Sequence, residues 1–330
     1  MALQSLAKVD PYCHLDGALA GSLPWPAGFV ASNTDLIRAR QQAAAQVAGL
    51  GQLQQSVAHL ASTWLQNGIM HVDLVVTLEH WQHLGLGPHD LLVAIAAPLR
   101  QLAQQTPWSW SLVVEWPMDG MPAQASAALT DLTDLAALAD PQALAGISLG
   151  LPAQQEVTDL NGWSELLQAA KAAGLQRQVV AETSLPLMQA AIDAGIDRLV
   201  GGTALVTDAA LTGHLRAHRL PLVQLPSWQL QAGLVDRPAR SPLGALRNQG
   251  VLVSVASGWP ALLGATLTDV LQQVSVSQVW RLDDLRAATA RAIEAAWLLP
   301  QSRMALGRMV ESWRHRPHAQ PGAKGDPFSL

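Results

Sequence analysis

Tyr12, His14 and Asp16 alternate along the end of one apolar run, Lys8-Val9-Asp10-Pro11-Tyr12-Cys13-His14-Leu15-Asp16-Gly17. On a strand every second side chain faces the same way, so three groups able to hold or move protons share one face. A strand ending in His-x-His at the mouth of a barrel is a good start to a catalytic zinc site. Here Tyr12 takes the first of those places and His14 alone remains. A zinc ion needs three or four ligands set tetrahedrally. Tyr12 could serve only as a phenolate, and an ordinary pKa of about 10 makes that costly without a strong cation beside it. No later stretch supplies the missing ligands. His71, His80, His83 and His89 run from a strand through a loop into a helix, and core or loop roles are the simpler reading of them. His214 and His218 stand one helical turn apart, but Arg216 and Arg219 lie beside them and no His-Glu-x-x-His order is present, so a surface helix accounts for them. Glu79 and Glu115 are single carboxylates near strand ends. A solvated or ion-paired role outweighs a pocket role for both.

Eight short β-rich runs are available to position these groups: 8–13, 70–76, 109–115, 145–149, 177–181, 196–200, 221–225 and 251–255. Several are apolar at nearly every residue, as parallel strands covered on both faces require. The segments between them, such as 39–67, 82–104 and 163–173, have helical composition. Gly68, Gly174, Gly195 and Gly250 each fall just before a strand, where a helix C-cap glycine belongs. Strand and helix alternating eight times points to an α/β protein built as a single (β/α)8 TIM barrel. No Gly-x-Gly-x-x-Gly follows a strand, which removes the support a doubly wound sheet would need. The barrel is expected over 1–312, with an insert at 17–41 across its mouth, closing helices over 280–310, and a disordered tail at 313–330.

Composition narrows the function classes. The chain has 330 residues, of which 14% are charged, and a formal net charge of −5. Nothing there favours nucleic acid or anionic lipid. A charge-poor surface favours self-association into a homo-oligomer. Cys13 is the only cysteine, which excludes an internal disulfide and a thiolate metal cluster. The apolar runs are too short to span a membrane, and no basic-then-apolar leader opens the chain, so a cytoplasmic location is expected.

The ordered motifs resemble the adenosine deaminase family. Its opening Lys-Val-Glu-Leu-His-x-His-Leu-Asp-Gly is similar to Lys8-Val9-Asp10 through His14-Leu15-Asp16-Gly17. Asn67-Gly68-Ile69 with His83 and Gly85-Leu86 looks like its second unit, and Ala145-Gly146-Ile147-Ser148-Leu149 like its Gly-Ile-Asp-Leu strand. Val179-Val180-Ala181-Glu182-Thr183 lies on Val-His-Ala-Gly-Glu. Arg198-Leu199-Val200-Gly201-Gly202-Thr203 lies on Arg-Ile-Gly-His-Gly-Thr, Leu225-Pro226-Ser227 on Cys-Pro-x-Ser-Asn, and Ser257-Gly258-Trp259-Pro260 on Asp-Asp-Pro with its preceding residue. The likeness spans residues 8–300. It implies a metal-dependent hydrolase barrel in which the four zinc-ligand positions are Tyr12, His14, Val180 and Gly258. It also places the proton-shuttling glutamate at Thr183, one residue from Glu182, the water-orienting histidine at Gly201, and the second aspartate at Trp259. Asp16 and Gly17 would meet the ribose side of a substrate, and Leu151 the purine.

Deamination of this kind needs a Lewis acid on water and a carboxylate to protonate the ring. Val180, Gly258 and Thr183 offer neither. The expectation is therefore a non-catalytic family member with no cofactor and no zinc. Trp228 and Trp259 follow the seventh and eighth strands, where they either fill the former pocket or offer a stacking surface. Two uses follow: holding a small aromatic or purine-like molecule against His14, Asp16, Gly17, Leu151, Trp228 and Trp259, or acting as a scaffold for a protein partner. A metal-free reaction using Tyr12, His14 or Asp16 as acid or base is the enzymatic alternative.

Overall fold

The computed structural model describes residues 3, 6–19, 31–137, 143–152 and 157–312. Strand β1 (Lys8–His14) runs into the short helix α1 (Leu15–Leu19), and α2 (Asn33–Ala45) and α3 (Leu50–Gln66) precede β2 (Ile69–Thr77). A 3-10 turn, Leu78–Leu84, leads to α4 (Pro88–Gln105) and β3 (Ser109–Pro117). Then follow α5 (Pro122–Ala137), β4 (Gly146–Gly150), α6 (Ser164–Ala172), β5 (Gln176–Ala181), α7 (Leu185–Asp193) and β6 (Arg198–Gly201). The last units are α8 (Ala209–His218), β7 (Leu222–Gln224), α9 (Pro226–Gln231), α10 (Leu243–Asn248) and β8 (Val253–Val255). Helices α11 (Pro260–Leu263), α12 (Leu267–Ser277), α13 (Leu282–Ala295) and α14 (Pro300–Ser312) end the described chain.

The strands pair in parallel in sequence order, β1 to β8. The ring closes through a parallel bridge between Cys13 and Gly258, where the His14 N–H donates to the Gly258 carbonyl at 2.8 Å and the Gly258 N–H to the Tyr12 carbonyl at 3.0 Å. All eight expected strands are present, and the chain forms a TIM-type barrel. The expected tail at 313–330 and part of the 17–41 insert lie outside the described residues.

Two expected helices are each divided. The 39–67 stretch is α2 and α3, the second starting after Gly49. The 82–104 stretch begins only at Pro88, because proline's fixed φ and missing N–H suit the first helical position. Gly85, at φ +67, turns the chain between the 3-10 turn and α4.

Period-two alternation fills the lumen in layers. Tyr12, Val75, Val113, Val180, Val200 and Val223 belong to one buried apolar cluster in the middle. Toward the N-terminal ends of the strands, Asp73 receives Arg198 at 2.5 Å, His71 at 2.8 Å and Ser111 at 2.5 Å. The Trp297 indole covers the Arg198 guanidinium at 4.0 Å. This end is a buried structural plug, in which Arg198 Nη2 and Gln178 Nε2 are left without a hydrogen-bond partner among the described residues. Toward the C-terminal ends the same alternation delivers His14, Thr77, Glu115 and Glu182.

Candidate functional site

Two residues beyond Tyr12 on β1, His14 reaches the barrel mouth fully buried. Its ring meets a cation that the sequence motifs do not contain. Arg40 projects from α2, whose start is fixed by a reciprocal capping box between Ser32 and Asp35. The Arg40 Nε donates to both Asp16 oxygens at 3.1 and 3.2 Å. Its Nη2 donates to Glu115 Oε1 at 3.1 Å, to His14 Nδ1 at 2.8 Å and to the Thr77 hydroxyl. Thr77 in turn donates to Glu115 Oε1 at 3.0 Å, and Ser148 to Glu115 Oε2 at 3.2 Å. His80 closes the group from the other side, its Nδ1 2.6 Å from Asp16 Oδ2.

The geometry fixes the protons. A guanidinium only donates, so His14 Nδ1 is an acceptor and its proton sits on Nε2. That proton points to the Tyr12 hydroxyl oxygen at 2.7 Å, and the Tyr12 O–H donates to Glu115 Oε2 at 3.2 Å. Burial and the adjacent Arg40 push the His14 pKa down to about 3, so the ring is neutral. Burial by itself would raise the Asp16 carboxyl, but Arg40 and His80 overcome it and hold the group far below the carboxylate range. Glu115 is likewise lowered against its burial by His14, Arg40 and Thr77. With His14 neutral, the guanidinium is the permanent charge that keeps both carboxylates ionised. Burial, with Glu115 next, drives the Tyr12 phenol well above its ordinary value. A phenolate ligand is thereby disfavoured.

The positions that would hold zinc do not fit it. His14 spends both ring nitrogens on Arg40 and Tyr12. Val180 lies in the apolar lumen, and Gly258 offers only backbone already bonded to β1. Among the described residues no group of three His, Cys, Asp or Glu could hold a metal ion.

The remaining sequence candidates separate into three places. Trp259 is buried and stacks on His14, with ring centroids 5.0 Å apart and 20° between planes. Gly17 lies under it: a Cβ there would come within 2.6 to 2.9 Å of Trp259 side-chain and backbone atoms. Asp16 is locked to Arg40 and His80 behind this lid. Across the mouth, Leu151, Val180, Glu182, Thr183 and Trp228 line a cleft of about 250 Å³ together with residues of α2, α7 and α9. Glu182 is buried there, its Oε2 accepting from Thr203 at 2.5 Å and Gln229 at 3.3 Å while Oε1 has no partner. Burial raises its pKa despite those donors. Thr183 is exposed, so the buried carboxylate at this strand end is Glu182. Leu151 also borders a second cleft of about 220 Å³ whose wall includes the buried Arg40, Thr77, His80 and Glu115. His14, Asp16, Gly17 and Trp259 line neither cleft.

His71, His80, His83 and His89, expected in core or loop roles, do not meet. His71 serves the N-terminal plug, His80 serves Asp16, His83 bonds the Val47 carbonyl at 3.0 Å, and His89 faces solvent beside Asp90. His214 and His218 stack on each other along the exposed side of α8. Glu115 is the ion-paired residue of its two readings. Arg40, Thr77 and Ser148 were not legible as site residues. Arg40 looks like any arginine of an Ala/Gln-rich helix, and its partners lie 24 to 75 residues away.

Comparison with known proteins fits this frame. Residues 41–313 match the family model described as adenosine deaminase. An adenine deaminase of Rhizobium rhizogenes is 22% identical over 320 residues, covering 91% of this chain and 98% of that one. Among solved structures, the adenine deaminase of Arthrobacter aurescens superposes with a TM-score of 0.81 at 18% identity, over 94% of this chain and 99% of its own. The Arabidopsis N6-mAMP deaminase gives 0.79 at 14% identity, over 94% and 99% respectively. At such identities the structural likeness shows the fold. No described helix is long and apolar enough to cross a membrane.

Proposed function

Since this chain belongs to the adenosine deaminase family, we propose that it is a non-catalytic member whose reaction centre is occupied by its own side chains and whose remaining role is to hold a small planar heterocycle. The observation that carries this reading is Arg40. Its guanidinium sits against the one surviving histidine and between two ionised carboxylates, leaving neither a ligand set nor a place for activated water. Trp259 seals His14 from above. Ligand space shifts sideways to the cleft beside Glu182 and Trp228. Its lining of Leu151, Val180, Leu187 and Trp228 suits an apolar ring, and the unpartnered Glu182 Oε1 supplies one polar anchor.

The His14–Tyr12–Glu115 relay favours the second reading, a metal-free acid–base reaction. It is weaker, because all three groups are buried and neither mouth cleft reaches His14 or Tyr12.

The test combines two measurements. Purified protein assayed for metal content and for ammonia release from adenosine, adenine and modified adenosines is expected to give neither zinc nor turnover. Metal-dependent activity abolished by His14→Ala would overturn the non-catalytic reading. Titration with purines and pyrimidines, followed by tryptophan fluorescence and thermal shift, is expected to show binding that Glu182→Gln or Trp228→Ala weakens. A flat response across the library would leave the scaffold role and remove the ligand.

A further inference from the structure

The opposite end of the barrel carries a feature unrelated to the mouth. Four of the chain's 20 Lys and Arg residues, Arg216, Arg219, Arg247 and Arg291, line one cleft of about 170 Å³. Its floor is Gly250–Leu252, the residues just before β8, and Arg219 stands just before β7, so the cleft opens on the N-terminal face.

Two of these arginines are anchored. Arg219 pairs with Glu294, and Arg247 pairs with Asp284 at 3.2 Å while lying 5.3 Å from the Trp280 ring centre. The other two make no hydrogen bond or ion pair among the described residues. Arg291 is half-buried, and its guanidinium pKa is lowered by burial and then by Arg247, against the weaker pull of Glu294 and Asp284. Arg216 packs its stem on Gly250, where φ is +84 and a Cβ would come within 3.2 Å of Arg216 Cδ. Those two carboxylates are each already bonded to another arginine, so four guanidinium groups face two carboxylates.

A purely structural account explains part of this. Arg216 and Arg247 lie in the last turns of α8 and α10, where cations favour the helix dipole. Arg291 has no such reason, since it lies outside the last turn of α13. Crowding an unpaired, half-buried arginine against another costs free energy that an anion would recover. Guanidinium forks match phosphate oxygens in bidentate geometry, and the cleft has room for one or two phosphate groups.

We propose that the cleft formed by Arg216, Arg219, Arg247 and Arg291 is a binding site for a phosphate or diphosphate group, separate from the barrel mouth. The ligand is either free inorganic phosphate or diphosphate, or the phosphate end of a nucleotide lying over the N-terminal face.

Isothermal titration at low ionic strength with inorganic phosphate, pyrophosphate and ADP tests it, with chloride at matched ionic strength as reference. Saturable binding of pyrophosphate or ADP is expected. The double variant R216Q/R291Q removes the two arginines that make no ion pair among the described residues and keeps most of the Arg216 stem, so it should fold with an unchanged far-UV spectrum. It should weaken binding by at least about tenfold, as the loss of charge-assisted hydrogen bonds requires. R38Q/R308Q, which removes the same charge from two arginines that do not line the cleft, should leave affinity within about twofold, because charges not in contact with the ligand act mainly through the screened general field. ADP binding tighter than pyrophosphate assigns the site to nucleotides, and equal affinities assign it to the free diphosphate. No saturable binding, or binding equally weakened by both double variants, overturns the proposal.

Discussion

Arg40 holds the centre of the barrel mouth through charge and hydrogen bonds to Asp16, His14 and Glu115. Asp16 and Glu115 are both buried, and the guanidinium between them is the permanent charge that helps keep them ionised, with His80 and Thr77 bonded beside it. Removing one partner of such a pair leaves an uncompensated buried charge and costs about 3–5 kcal/mol. Arg40→Met should therefore lower unfolding free energy by that order in urea titrations. Arg40→Lys should recover only part, because an ammonium cannot serve Asp16, Glu115 and His14 through a planar fork. An Arg40→Met protein as stable as the parent would show that the network is dispensable. A second residue-scale consequence concerns pH. Burial raises Asp10 from 3.8 to about 7 even though Ser257 donates to both its oxygens. A carboxyl raised in the fold contributes stability fully present below its unfolded pKa and lost as pH climbs through about 7. His14 has the opposite sign: lowered from 6.5 to about 3, it contributes above pH 6.5 and loses that contribution as pH falls. The two slopes oppose each other between about pH 4 and 6.5. Asp10→Asn removes one of them, so its stability relative to the parent should rise from pH 4 to 7, by up to about 1.4 kcal/mol per pH unit. Parallel pH profiles for the two proteins would refute the buried, raised Asp10.

The elements were far more legible than the contacts between them. Strand positions follow from runs of apolar residues, a local signal that survives in one sequence, and so the eight strands and their order could be read. The uniform composition of 39–67 predicts one continuous helix, yet α2 and α3 separate before Gly49. That divergence is what lets α2 cross the mouth and lower Arg40 into it. The loss of zinc ligands was legible residue by residue, whereas the cation facing His14 was not, because no periodicity marks a contact made between α2 and β1. Gly17 shows the same limit. As a sequence position it reads as facing a ligand, but in the fold α1 uses it to let Trp259 approach. Ala at this position would meet Trp259 backbone as well as side chain, so the indole cannot rotate away without moving the start of α11. Gly17→Ala should destabilise by about 1–3 kcal/mol, the usual cost of overpacking, and should change tryptophan fluorescence as the stack on His14 opens. A neutral substitution with an unchanged spectrum would mean that Trp259 is not held there.

At the scale of the whole molecule, the barrel is tied at both ends by buried charge networks around an apolar middle. The Asp73–Arg198 group closes the N-terminal end and the Arg40 group the C-terminal end. Between them lie Tyr12, Val75, Val113, Val180, Val200 and Val223. The two networks share no hydrogen-bond partner among the described residues, so they should behave as independent sites even though one chain and one sheet contain both. Perturbations without shared partners add to within about 0.5 kcal/mol, while members of one network couple by about 0.5–3 kcal/mol. Glu115→Gln combined with Arg40→Met should therefore cost clearly less than the sum of the two, because the second change removes a charge that the first has already left unpaired. Glu115→Gln combined with Asp73→Asn should be additive. Both cycles can be measured by urea unfolding at pH 7, with equal m values confirming that the unfolded states are comparable. Strong coupling between the ends would mean that the apolar layer transmits strain along the barrel. Changes at the mouth, including any ligand beside Glu182, would then be felt at the arginine cleft on the far face.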